Sequence, residues 1–206
     1  MKRGLFIVFE GIDGSGKDTH IKLLSEELRQ QGHSVLETAE PSGNEVGALL
    51  RRYQHKSGKR LPAETEALLY TADRYEHVRN IVEPALKKGQ IVLSNRYFYS
   101  TLAYQGAMGV DLDWIREMNR FAPKPDASIL LDILPEFSLR RLKRRRTVFE
   151  QLENLRRVRE IYVRLVKGGE LVRVDADRPK RVVQAELLGL VQRLLESRVT
   201  GESSIP

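Results

Sequence analysis

A chain of 206 residues with 41% hydrophobic and 31% charged residues is sized for a single domain with one substantial core. The absence of cysteine excludes a disulfide framework and a thiolate-held metal, and no apolar run approaches the roughly 20 residues of a membrane span. The net charge of +7 would suggest nucleic acid, but Arg140-Arg141-Leu142-Lys143-Arg144-Arg145-Arg146 carries all but one unit of it. A nucleic-acid surface spreads its cations over a face with aromatics interleaved, so the expected partner is small and highly anionic.

In chain order, Leu5–Phe9 reads as a first strand. Met1-Lys2-Arg3-Gly4 before it lacks the features of a signal peptide, and a cytoplasmic location is expected. The loop Gly11-Ile12-Asp13-Gly14-Ser15-Gly16-Lys17-Asp18-Thr19 follows, then an amphipathic helix with Ile21, Leu24 and Leu28 at helical spacing, ending near Gly32. Strand, Gly-rich loop and helix in this order form the context of a phosphate-binding loop. Its backbone N–H groups point at phosphate oxygens, the helix start adds partial positive charge, and Lys17 supplies a full cation. The G-x-x-x-x-G-K pattern is complete, but Asp18 stands where a Ser or Thr usually offers Mg²⁺ a hydroxyl.

Further strands are predicted over Val35–Thr38, Ile91–Ser94, Ser128–Leu131 and Leu171–Val174, separated by helical patterns. Glu64–Val82 reads as a long helix broken at Pro84, and Phe137–Lys143, Glu150–Val166 and Val182–Glu196 as three more. The expected fold class is α/β, a parallel five-stranded sheet with helices on both faces. The expected organisation is one domain over residues 1–206, with a frayed tail at 198–206. Ligands of such sheets bind at the carboxyl ends of the strands. The phosphate loop, Glu40-Pro41 and Asn95-Arg96-Tyr97 are each expected to follow a strand and gather there.

The segment Asn95-Arg96-Tyr97-Phe98-Tyr99-Ser100-Thr101-Leu102-Ala103-Tyr104-Gln105-Gly106 resembles the D-R-Y/H-x-x-S-x-x-A-Y-Q-G signature of thymidylate kinases. Leu68-Leu69-Tyr70-Thr71-Ala72-Asp73-Arg74 resembles the L-L-F-x-A-x-R helix of that family, and Glu40-Pro41 its E-P loop. Leu131-Asp132, Pro135-Glu136 and Leu142 resemble the entry to its lid. The resemblance runs from about residue 5 to about residue 190, in family order. It implies phosphoryl transfer from ATP to dTMP with Mg²⁺ by a homodimeric P-loop kinase with a short helical lid at 140–150; neither nucleic acid nor membrane is expected as partner. The alternatives are a nucleotide-dependent binding protein with weak turnover, or a P-loop kinase for another deoxynucleotide.

Matching positions implies roles. Gly11 to Thr19 hold ATP; Lys17, Arg96, Arg141 and Arg145 are the catalytic cations; and Arg144 and Arg146 enrich the lid. Arg96 and Arg51 hold the acceptor phosphate, through the planar fork that suits a guanidinium to two oxygens. Tyr70 stacks on thymine, Arg74 donates to its O4, and Thr101 and Gln105, four apart on one helix face, reach the base edge. Tyr104 packs on the sugar, Asp13 lies near the 3′-hydroxyl, and the Glu40-Pro41 turn, cis in many members, borders the dTMP site. Asp18 is the candidate metal ligand, directly or through water. The chain departs from the family at Asp18, at Asn95 (for Asp), at Ala39 (for an Arg) and at Thr147-Val148 (for D-R before Phe149-Glu150).

Overall fold

The computed structural model describes residues 3–54, 60–142 and 151–200. Five parallel strands, β1 (Phe6–Glu10), β2 (Val35–Ala39), β3 (Ile91–Asn95), β4 (Ala127–Asp132) and β5 (Val172–Asp175), lie in the order β2-β3-β1-β4-β5. Central β1 is buried along its whole length and pairs Phe6 with Val92 and Ile7 with Ala127. Alternation of side chains along a strand assigns its residues to two cores. Leu5, Ile7 and Phe9 join the larger cluster with Leu24, Leu28, Tyr162, Leu187 and Val191. Phe6 and Val8 join the smaller one with Val78, Val82, Leu86 and Tyr97. Both faces are therefore covered, which is why these strands read as continuous apolar runs.

Nine helices are described: α1 (Lys17–Gln30), α2 (Glu45–Gln54), α3 (Ala63–His77), α4 (Glu83–Lys87), α5 (Phe98–Gly106), α6 (Leu112–Met118), α7 (Pro135–Arg141), α8 (Leu152–Lys167) and α9 (Lys180–Thr200). The expected break at Pro84 is corrected. The backbone stays helical from α3 into α4 through a widened π turn at Val78–Val82, and Pro84 falls in the first turn of α4. A first-turn proline has no N–H to lose from the helix ladder. Helix α9 continues to Thr200, and Arg198 donates to Arg3 O at 2.7 Å, Gly4 O at 3.0 Å and Asp126 Oδ1 at 2.5 Å. The expected lid at 140–150 and tail lie mostly outside the described residues, with Arg144, Arg145 and Arg146 among them.

Candidate active site

Every loop leaving the carboxyl end of a strand faces the same edge of the sheet, and the phosphate-binding loop occupies its centre. Gly11, Gly14 and Gly16 adopt φ of 137°, 81° and 95°. Glycine is required at the first two on space as well. A Cβ at Gly11 would stand 2.6 Å from Leu131 O, and one at Gly14 the same distance from Ser138 O. Ser138 at the base of α7 also donates its hydroxyl to Asp13 O, so the loop is clamped from above. Lys17 begins α1, and its Nζ donates to Gly11 O at 2.8 Å and Ile12 O at 3.0 Å. Burial, then the neighbouring Arg96 charge, push its ammonium down to about 7, against Asp13, Asp18 and Glu10.

A cavity of about 480 Å³ opens over this loop, lined by residues 13–20, Asn95, Arg96, Arg141, Leu142, Ala176, Arg178 and Lys180. Ile12 and Ser15 are buried beneath it, whereas Asp18 and Thr19 are exposed. Arg141 lines it from α7, donating to Ala176 O at 3.2 Å and Asp177 Oδ1 at 3.0 Å. Arg145 lies outside the described residues. Sequence reasoning missed Ala176, Arg178 and Lys180, which reach the cavity only because β5 is the last strand on the β4 side. Their position just after a predicted strand was the available signal.

Arg96, which lines this cavity, is the one non-glycine residue with positive φ (74°) among the described residues. Its Nη2 donates to Asp13 Oδ1 and, at 3.3 Å, to the Tyr104 hydroxyl, while Nη1 donates to Ser100 Oγ at 3.0 Å. Its guanidinium carbon stands 5.0 Å from the centre of the Tyr104 ring. Arg96 is thus in contact with both Asp13 and Tyr104.

A second, more deeply buried network centres on Arg74 and Glu40. Arg74, 1% exposed, donates from Nε to Glu40 Oε2 at 2.9 Å, from Nη1 to Asn119 Oδ1 at 2.7 Å and from Nη2 to Thr101 Oγ1 at 3.1 Å. His77 Nδ1 lies 3.0 Å from Glu40 Oε1, and Thr38 Oγ1 lies 2.7 Å from His77 Nε2. A carboxylate only accepts, so Nδ1 carries the proton to Glu40. The Glu40-Pro41 peptide is cis. Arg51 on α2 donates to Pro41 O at 3.0 Å and to Ser42 O, so its guanidinium ties down this loop. Tyr70 accepts from Gln54 Nε2 at 2.8 Å, and burial pushes its hydroxyl up. Gln105 donates to Glu66 Oε2 at 3.1 Å. Sequence reasoning missed Asn119, Glu66 and His77, whose partners are remote in the chain.

Among the described residues, no group of three or more His, Cys, Asp or Glu could enclose a metal ion. What the cavity does offer is one exposed carboxylate, Asp18, whose Oδ1 accepts from Asn95 Nδ2 at 2.7 Å. Asn95 Oδ1 is buried with no hydrogen-bond partner. Mg²⁺ keeps several waters and takes one or two carboxylates plus substrate phosphates, so this sparse donor set fits it.

A sequence profile described as thymidylate kinase matches residues 9–187. The chain belongs to the thymidylate kinase family. It is 49% identical over 172 residues to a probable thymidylate kinase of Pyrococcus horikoshii, covering 80% of this chain and 84% of the relative. It is 45% identical over 201 residues to a probable thymidylate kinase of Pyrococcus abyssi, covering 94% and 98%. A thymidylate kinase of Xanthomonas oryzae pv. oryzae is 40% identical over 204 residues, covering 98% of this chain and 88% of the relative. Family membership fits the five-stranded parallel sheet and the phosphate loop at its centre. No helix of the described residues is long and apolar enough to cross a membrane.

Proposed function

We propose that the chain transfers the γ-phosphoryl group of ATP to dTMP, giving ADP and dTDP. The observation that carries this reading is Arg96. It reaches the phosphate-loop cavity and at the same time contacts Asp13 and Tyr104 on the acceptor side. A phosphoryl transfer asks for two phosphates brought in line and for neutralisation of spreading charge, more than for covalent chemistry.

In this reading, residues 11–19 hold the triphosphate through their N–H groups, and Lys17 exchanges its loop carbonyls for phosphate oxygens. Arg96 holds the acceptor phosphate with its fork, with Arg51 beside it. Asp13 and Tyr104 orient the sugar, and Tyr70, Arg74, Thr101 and Gln105 recognise the base beside the Glu40-Pro41 turn. Arg141 reaches the cavity from α7 and supplies a cation to the transferred phosphoryl group; the same role is proposed for Arg145. Asp18 would hold Mg²⁺, directly or through water, and the ion would supply charge neutralisation for the phosphoryl group in transfer.

One phosphate-loop site at the edge of one five-stranded sheet supports a single kinase domain for residues 1–206. Leu68 and Tyr75, exposed seven residues apart on α3, support a homodimer. ATP as donor supports a cytoplasmic location. A coupled assay of ADP release tests the activity. Release that requires dTMP is expected, and ATP hydrolysis indifferent to dTMP would contradict it.

A further inference from the structure

Glu10 closes β1 and is fully buried, yet the reaction above gives it no task. Its Oε1 accepts the backbone N–H of Tyr97 at 2.9 Å and of Ser100 at 3.2 Å. Its Oε2 accepts the Ser100 hydroxyl at 2.6 Å and the Tyr162 hydroxyl at 2.8 Å. Four donors from two helices therefore converge on one carboxylate, a group that can only accept.

Helix α5 explains why. Tyr97 precedes its first residue, and the Tyr97 side chain makes no capping bond. The first N–H groups of a helix have no partner within the helix. Here the cap comes from another strand, 87 residues earlier in the chain, and its negative charge sits at the positive end of the helix dipole.

Directly before this cap stands Arg96, in the left-handed conformation that is costly for any residue with a Cβ. Its backbone is held by Arg96 N to Phe9 O at 2.8 Å, by Ser94 Oγ to Arg96 O at 2.8 Å, and by Glu10 on the next N–H. Its side chain is held through Ser100, whose oxygen accepts from Arg96 Nη1 while its proton goes to Glu10. One carboxylate thus orders both ends of the same arginine.

We propose that Glu10 is a positioning residue for phosphoryl transfer: it holds Arg96 in the orientation that meets the acceptor phosphate, and itself touches neither substrate. The inference rests on the reading of Arg96 as the acceptor clamp. Tyr162 extends the same link to α8, so the clamp is referenced to three elements at once.

The test compares Glu10→Ala, Glu10→Gln, Ser100→Ala and Arg96→Ala with the wild-type enzyme, measuring KM for dTMP and for ATP, kcat and melting temperature. A structural role alone would lower the melting temperature and leave the two KM values in their original ratio. Positioning instead predicts that Glu10→Ala raises KM for dTMP tenfold or more and lowers kcat, with KM for ATP within twofold. Glu10→Gln keeps an oxygen for the two N–H groups and should recover most of the dTMP affinity. Ser100→Ala removes only the side-chain link and should raise KM for dTMP about threefold, which decides the matter if Glu10→Ala fails to fold. Unchanged KM for dTMP in both folded Glu10→Ala and Ser100→Ala would overturn the proposal while Arg96→Ala still lost dTMP. If Arg96→Ala itself kept its dTMP affinity, the clamp reading would fall, and this inference with it.

Discussion

Asn95 Nδ2 donates to Asp18 Oδ1 across 2.7 Å, joining the end of β3 to the first turn of α1 at the mouth of the phosphate-loop cavity. P-loop kinases commonly place a hydroxyl at the loop position and a carboxylate near the metal from a later strand. Here the carboxylate stands in the loop and the neutral amide after the strand. The charge facing the cavity is the same in number, with its position exchanged.

From this contact the two positions are expected to act as a pair. Asp18→Ser should sharply raise the Mg²⁺ concentration needed for half-maximal turnover, and Asn95→Ala should change it little. The double change Asp18→Ser with Asn95→Asp should restore what Asp18→Ser loses. Mn²⁺ titrated into the ADP complex and followed by electron paramagnetic resonance gives an activity-free readout. Unaltered metal affinity in Asp18→Ser would reduce Asp18 to a helix-start acid, favourable there without any ion.

In the proposed base site Arg74 would set selectivity, because its N–H groups are donors only. Thymine O4 accepts, whereas the amino group of cytosine at that place donates. Two donors facing each other in a buried site cost about 1–3 kcal/mol. dTMP and dUMP should therefore be used at least tenfold better than dCMP in kcat/KM. Equal use of dCMP would remove Arg74 from base recognition.

Arg74 also has a structural duty that is separable by calorimetry. Removing it leaves the buried Glu40 carboxylate without its strongest partner. Breaking a buried ion pair from one side costs about 3–5 kcal/mol. Arg74→Ala should lose that much stability at neutral pH, and Glu40→Gln, which keeps an oxygen for the guanidinium, should lose less. Equal stability of Arg74→Ala and wild type would show that His77 alone satisfies Glu40.

Acid stability has a defined source in Asp132. Burial raises its carboxyl, but bidentate Arg159 at 2.7 and 2.9 Å and Arg173 at 2.7 Å outweigh burial and hold it below the ordinary 3.8. A carboxyl depressed in the folded state stabilises above its unfolded value, and the benefit is lost as pH falls through the folded value. The melting temperature of the wild type should therefore drop below about pH 4. In Asp132→Asn it should already be lower at pH 6 and fall less between pH 4 and pH 2. Parallel acid limbs for the two proteins would contradict this source.

The strands were legible because burial on both faces turns them into apolar runs, and the phosphate loop because its glycines serve backbone geometry. The π turn at Val78–Val82 was not, since Pro84 reads as a stop unless the preceding turn is known to widen. Nor were α2 and α6. The arginines of the acceptor site were found through the resemblance, but what fixes them was not. Arg74 depends on Glu40 and Asn119, which lie 34 and 45 residues away. Glu10 reads in sequence as the last residue of a strand, yet Tyr162 reaches it from 152 residues further on. Such partnerships arise only when the sheet edge is assembled, and no local pattern carries them.

The central claim is that Arg96 is the clamp on the acceptor phosphate, placed beside the ATP loop without being part of it. Isothermal titration of dTMP and, separately, of ATP into wild type and Arg96→Ala tests it most directly. The account predicts that the variant binds dTMP at least tenfold more weakly while its ATP affinity stays within about threefold. Loss of ATP binding with dTMP binding spared would contradict it.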